Sequence, residues 1–354
     1  MNMLENLTVI DASTVLAGPS VGTFFAELGA TVIKVENPII PDVTRSWKLE
    51  NEDQESSISA YYASVNYLKT EVALDLKNPN EHTSFLERIK TADILISNFK
   101  HGDETKLGIE DETLHRINPR LIIGKINGFG EESDRVAYDL ILQAETGFMS
   151  MNGTPKSGPV KMPVALIDVL AGHQLKEALL LALLERSTTG KGSVVSVSLY
   201  DAAVCSLINQ ASNYLMAGKI PERIGSAHPN ISPYGELFTT FDGDTVTFAI
   251  GSNAHFVKLC QFLKLEQLTT DERFYENINR VKNRTALREI IDEKVKQLHT
   301  QDIIQTLIAA NVPVAKVKDL QEVFEDEAAQ SLIREEQNSG KTTKRVTSIA
   351  FKWH

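Results

Sequence analysis

The chain has 354 residues, with 36 Lys+Arg against 47 Asp+Glu, a formal net charge of −11 and a pI near 5.3. That balance argues against a broad nucleic-acid or anionic-membrane surface and leaves room only for a small basic pocket. A hydrophobic share of 42% and a charged share of 23% are those of an ordinary globular protein, long enough for about two domains. Two cysteines, Cys205 and Cys260, cannot build a disulfide framework or a structural zinc site. Their apolar neighbours predict buried thiols, in keeping with a reducing cytoplasm. No basic stretch followed by a long apolar one opens the chain, so no signal peptide is expected. The longest apolar run lies near 176–184, bracketed by Lys176, Glu185 and Arg186, and is about half a membrane span, so no membrane helix is expected either.

Residues 7–13 (LTVIDAS) read as a strand, 21–29 as a short helix ending at Gly29, and 31–36 (TVIKVE) as a second strand. A helix over 82–93, a strand over 94–98, a helix over 111–119 and a strand over 121–128 continue the alternation. Strand–helix repetition with nearly continuous apolar strands predicts a parallel sheet covered by helices on its faces. Residues 171–192 then form a long apolar helix, and 194–215 read as a strand running into another helix. Prolines and glycines between 216 and 233 mark a linker, 236–252 a hairpin turning at Asp-Gly-Asp, and 312–317 a strand. The basic tail ends in a short β-like stretch.

Chemistry has few places to sit. Gly18 and Gly22, in the turn after the first strand, could admit a phosphate at a helix N-terminus. They do not make a G-x-G-x-x-G pattern, and on this motif alone a plain tight turn explains them better. Asp168 is a lone carboxylate in an apolar segment, where an unpaired charge is costly. It reads either as the N-cap of the long helix or as a nucleophile kept ionised by the helix dipole. Asn98, Phe99 and Lys100 close a strand at its carboxyl edge, Asp139 is a candidate cap, and His173 reads as solvated or packed. The eight histidines are scattered without metal-ligand spacing, so no metal site is expected.

Ten segments in order resemble the class III CoA-transferase family, the carnitine/formyl-CoA transferase type. Among them are VIDASTVLAGP, LGATVIKVENP, ALDLKNP, ADILISNFKHG, YDLILQAETG, LIDVLAGHQLKEALLLALLERSTTGKG and AHPNISPYGELFTTFDG. The resemblance implies an α/β fold with a Rossmann-like parallel-sheet large domain, a smaller α+β domain and an interlocked homodimer. The large domain would span 1–200, completed by about 325–354, with a linker over 201–225 and the small domain over 226–324. Asp168 matches the family's catalytic aspartate, which attacks an acyl-CoA thioester to give an aspartyl–acyl anhydride and then an aspartyl–CoA thioester. The Gly251-Ser252 turn is a candidate source of oxyanion donors.

By the same likeness, coenzyme A contacts fall on Leu16, Ala17, Asn37, Leu74, Asp75, Lys77, Asn98, Phe99, Lys106, Val136, Tyr138 and Asp139. Lys77 and Lys106 suit phosphates, Leu74 the adenine, and Asp139 the ordering of loops. Acyl-CoA and a small carboxylic acid are the implied substrates, with no tightly bound cofactor. Leu16 stands where some members have glutamine, and Asn37 and Lys106 where arginine is common. The racemases of the same family need a histidine in the triplet that here reads Ala137-Tyr138-Asp139, and tyrosine, with an unperturbed pKa of about 10, is a poor base. A non-catalytic acyl-CoA-binding homologue and a nicotinamide oxidoreductase are the readings from other classes.

Overall fold

The computed structural model describes residues 3–338 and 340–352. Six strands form one parallel sheet: β1 (Thr8–Asp11), β2 (Thr31–Glu36), β3 (Lys69–Ala73), β4 (Ile94–Ser97), β5 (Ile122–Asn127) and β6 (Val194–Ser198). Their spatial order is β3-β2-β1-β4-β5-β6, every neighbouring pair parallel. Ile10 sits between Ile33 and Leu95 in register. Val9, Ile10, Ile94, Ile96 and Ile122 are wholly buried, which is why these strands read as unbroken apolar runs. The order reverses between β1 and β4. In such sheets the carboxyl ends at that reversal open a crevice for ligands.

Two helices flank that point. The first, Ala17–Glu27, starts four residues before the expected boundary, because Pro19 falls in the first turn, where its missing N–H is harmless. The long helix, Leu166–Thr189, also starts earlier than expected and ends on Gly190 with φ +71°, a left-handed terminator. Asp168 is therefore not its N-cap. Ala165 holds that place without a side-chain bond, and Asp168 lies in the first turn.

The chain divides into two compact units. One comprises Met1–Thr146, Met162–Ala211 and Gln330–His354, and so contains the parallel sheet and the C-terminal return. The last segment carries an antiparallel hairpin whose strands are Ile333–Asn338 and Lys341–Val346. Arg345 ties it to Glu27 at 2.9 Å and to the Ser64 carbonyl at 3.0 Å. Of the β-like tail read from the sequence, 347–352 carries no strand, and 353–354 lie outside the described residues.

The other unit comprises Gly147–Lys161 and Ser212–Ala329. Its three antiparallel strands are Tyr234–Thr239, Thr245–Ala249 and Val314–Lys316. They cover a core of Phe238, Phe248, Phe256, Phe274 and Leu287. Arg280 is buried within this unit and donates to the carbonyls of Ser232, Phe274 and Tyr275 and to Asn253 Oδ1. Cys260 is buried here, and burial pushes its thiol up to about 12. Cys205 is exposed, contrary to the expectation of two buried thiols: it ends the short helix Leu199–Cys205, whose buried face is Leu199, Ala202 and Ala203.

Candidate active site

Asp168 is 7% exposed, and among the described residues nothing hydrogen-bonds its carboxylate. Burial, with the charge of Asp139 beside it, pushes its pKa up from 3.8 to about 7. Burial here works against the helix dipole, which would favour the ionised form. A carboxylate so placed is more basic and a better nucleophile than one in water.

Asp139 does the capping instead. Its Oδ1 accepts the Ile167 N–H at 2.7 Å, and its Oδ2 accepts from Gln143 at 2.6 Å. Gln143 in turn accepts the Met162 N–H at 2.8 Å. One carboxylate thus joins the start of the Asp139–Glu145 helix to the start of the long helix.

One turn beyond Asp168, on the same face, stands Gly172. A Cβ there would lie 2.6 Å from Ser20 Oγ and 3.2 Å from the Ala17 carbonyl. The absence of a side chain lets the first helix approach the turn that carries Asp168. Leu16 is the N-cap of that first helix and supplies no side-chain bond, and Ala17 is its buried first residue. His173 points away and is exposed.

Beyond the carboxyl ends of β1, β4 and β5 lies a cavity of about 450 Å³. Thr14, Asn98, Phe99, Lys125, Val136 and Tyr138 are part of its wall, and Asp168 is not. Asn98 accepts the Thr14 N–H at 3.0 Å and donates to its carbonyl at 2.9 Å, stapling β1 to β4 at the reversal point. Lys125 lies 2.7 Å from Asp111, and Arg135 stacks over Phe129 at 3.9 Å.

A second group lies at the ends of β2 and β3. Asn37 Nδ2 is 3.4 Å from Asp75 Oδ1, which also accepts the Lys77 N–H at 3.1 Å. Asn37 Oδ1 accepts the N–H groups of Ile39 and Ile40. Leu74 is buried in the core beside them, and Lys77 is exposed. Lys106 is exposed on the short helix Asp103–Leu107 and pairs with Asp103 at 2.8 Å. The twelve positions taken from the resemblance thus divide between the cavity, the β2/β3 ends, the first helix, the capping carboxylate and a surface helix.

Two aromatic residues, Tyr61 and Trp47, went unread in the sequence. Tyr61, half-buried, is pushed up to about 12 by burial and by the charges of Asp168, Asp139 and Asp42. It stays protonated at neutral pH and able to donate. Trp47 packs edge-on against it, with ring centroids 5.1 Å apart. The only sequence signal was Ser59, whose hydroxyl accepts from Tyr62 N and starts that helix. In the second unit, the Gly251-Ser252 turn leads into the Asn253–Leu263 helix, which Ser252 caps through the His255 N–H. Among the described residues no group of three or more His, Cys, Asp or Glu is placed to hold a metal ion, and no helix is long and apolar enough to cross a membrane.

Residues 4–354 match the model of CoA-transferase family III. The chain is 36% identical over 334 residues to a succinate–glutarate CoA-transferase of Agrobacterium fabrum, covering 93% of this chain and 83% of that one. It is 34% identical to an acetyl-CoA:oxalate CoA-transferase of Acetobacter aceti, covering 90% and 81% respectively. The crystal structure of a CAIB/BAIF family protein from Brucella suis superposes with a TM-score of 0.83 at 35% identity, over 98% of this chain and 91% of that one. Built on the α/β frame of that family, the chain belongs to CoA-transferase family III and is a class III CoA-transferase.

Proposed function

We propose that the protein moves coenzyme A between short dicarboxylic acids, with Asp168 as the nucleophile. The ionised carboxylate attacks the thioester carbonyl of the donor, the C–S bond breaks, and CoA leaves as the thiolate. The resulting anhydride returns the donor acid when the thiolate attacks the aspartyl carbonyl, leaving CoA on Asp168 as a thioester. The acceptor carboxylate repeats these two steps in reverse order. Thioester energy is conserved throughout, so no ATP is consumed.

The observation that carries this reading is the Asp168 carboxylate itself: buried, without a hydrogen-bond partner among the described residues, and raised to about 7. Such a group has little else to do in a fold. Its apolar setting also slows hydrolysis of an anhydride. The first-turn N–H groups of the Ala17–Glu27 helix, which no side chain caps, are candidate oxyanion donors. Asn98, Phe99, Val136 and Tyr138 would line the path of the CoA chain, with Leu16, Ala17, Asn37, Leu74, Asp75, Lys77 and Lys106 taking its remaining parts and Asp139 ordering the loops. Substrates of the succinate, glutarate and oxalate kind are suggested by the relatives' activities. A homodimer belongs to the same reading and would cover Leu181 and Leu184, which are 66% and 65% exposed on the long helix.

The test is an ATP-free exchange. Succinyl-CoA is mixed with glutarate, oxalate or mesaconate, and new CoA esters are read by mass spectrometry beside Asp168→Ala. New thioesters that disappear in the variant support the reading. Turnover that survives the substitution refutes the nucleophile.

A further inference from the structure

Four charged side chains lie fully buried beneath the loop joining β1 to the first helix. Asp11, Lys34, Asp42 and Lys69 all have 0% side-chain exposure. Asp11 pairs with Lys69 at 2.7 Å, and Lys34 lies 3.7 Å from Asp42. Burying such charges is costly, and apolar residues of similar size would serve a sheet as well or better. Asp11 and Lys34 even interrupt strands that are otherwise apolar, VIDA and VIKV.

What these groups hold is the loop backbone. Asp11 Oδ1 accepts the Ser13 N–H at 3.0 Å, and Lys34 Nζ donates to the Ser13 carbonyl. Asn98 takes both backbone groups of Thr14. Asp42 Oδ2 accepts the Val15 N–H at 3.0 Å. Three consecutive residues are therefore fixed by four side chains: Asp11 and Lys34 from β1 and β2, Asn98 just past β4, and Asp42 from the loop after β2. Val15 is held at φ +74°, a left-handed conformation that a β-branched residue rarely adopts. Strain of that kind persists only where the surroundings over-determine it. The next two residues, Leu16 and Ala17, begin the helix whose Ala17 carbonyl lies against Gly172, one turn from Asp168.

Asp42 is itself secured. Its Oδ1 accepts from the Thr44 N–H at 3.0 Å and the Thr44 hydroxyl at 2.7 Å, and its own N–H donates to Glu36 at 3.1 Å.

We propose that Asp42, braced by Lys34, is a positioning residue: it fixes the Ser13–Ala17 backbone so that the acyl intermediate on Asp168 meets the acceptor acid rather than water. This rests on the reading of Asp168 as the nucleophile.

The test compares the wild-type chain with Asp42→Asn and Thr44→Val, using succinyl-CoA and glutarate. Asparagine accepts on one side only, so Val15 or Thr44 loses its acceptor and the Lys34–Asp42 ion pair is lost. Thr44→Val keeps every charge and only loosens Asp42. Rates are expressed per folded protein, and the ratio of succinyl-CoA hydrolysis to transfer is measured alongside. For Asp42→Asn the expected result is a kcat loss of about tenfold, a KM for succinyl-CoA within roughly threefold, and a hydrolysis-to-transfer ratio up by about tenfold. Thr44→Val should move the ratio the same way by about threefold. A purely structural role would lower the yield of folded protein and leave that ratio unchanged. An unchanged ratio and kcat in the variants that fold overturns the proposal. If Asp42→Asn does not fold, Thr44→Val decides alone. A wild-type chain without transfer, and without a covalent adduct on Asp168, overturns the nucleophile reading and this proposal with it.

Discussion

Replacing Asp168 by asparagine should change the stability of the protein by an amount that depends on pH. The folded carboxyl keeps its proton up to about pH 7, whereas in the unfolded chain it loses it near the model value of 3.8. Between those values the folded state carries more protons than the unfolded one. Its stability therefore falls as pH rises through that window. A shift of about three pKa units at about 1.4 kcal/mol each gives about 4 kcal/mol in total. The variant lacks this titration but keeps the shape, and whatever its buried amide costs is the same at every pH. Urea unfolding of both proteins at pH 4 and pH 8 isolates the effect, because all other titrating groups are shared. The stability of Asp168→Asn relative to wild type should rise by about 4 kcal/mol from pH 4 to pH 8. A pH-independent difference would refute the argument that burial controls this carboxyl. The same ionisation should appear in kcat/KM, which should fall tenfold per pH unit below about 7 because the nucleophile must be charged.

Asp139→Asn retains an acceptor for the Ile167 N–H but removes the neighbouring charge, so the acid limb of the kcat/KM profile should move to lower pH. Gly172→Ala pushes on a backbone carbonyl and a serine hydroxyl, and thermal or urea unfolding should report a loss of about 1–3 kcal/mol. Ser20→Ala should recover only part of it, because the Ala17 carbonyl remains in the way. Arg280→Met leaves three backbone carbonyls and Asn253 without their donor in a buried site, and should lower stability by about 3 kcal/mol in urea. Arg280→Lys should not restore it, because an ammonium lacks the planar fork.

Much of the large unit was legible from local pattern. Five of the six sheet strands, all but β3, and the longer helices between them follow from apolar runs punctuated by Gly and Pro, each signal lying within about ten residues. The hairpin at Asp242-Gly243-Asp244 was equally local. Helix starts were misread by several residues where the capping groups are not local. The long helix receives its acceptor from Asp139, 28 positions from Ile167. Tyr61 went unnoticed because the Ser59 cap marks only the start of its helix and says nothing of what the tyrosine faces. Only folding brings it under the charges of Asp168, Asp139 and Asp42. Cys205 was misjudged for the converse reason, since apolar neighbours in sequence do not say which face of a short helix is covered.

The sequence by itself determined the parallel α/β frame and the family, and it singled out one carboxylate, because periodicity and ordered motifs are properties of the chain alone. It also held, without explanation, the two charges that interrupt apolar strands at Asp11 and Lys34. The tertiary structure decided what those charges touch and how deeply Asp168 is buried. Both depend on desolvation and on partners tens of residues away: Lys69 lies 58 positions from Asp11, Asn98 lies 84 from Thr14, and Asp42 lies 27 from Val15. A pKa is a property of surroundings in space, and those surroundings exist only once the strands are side by side.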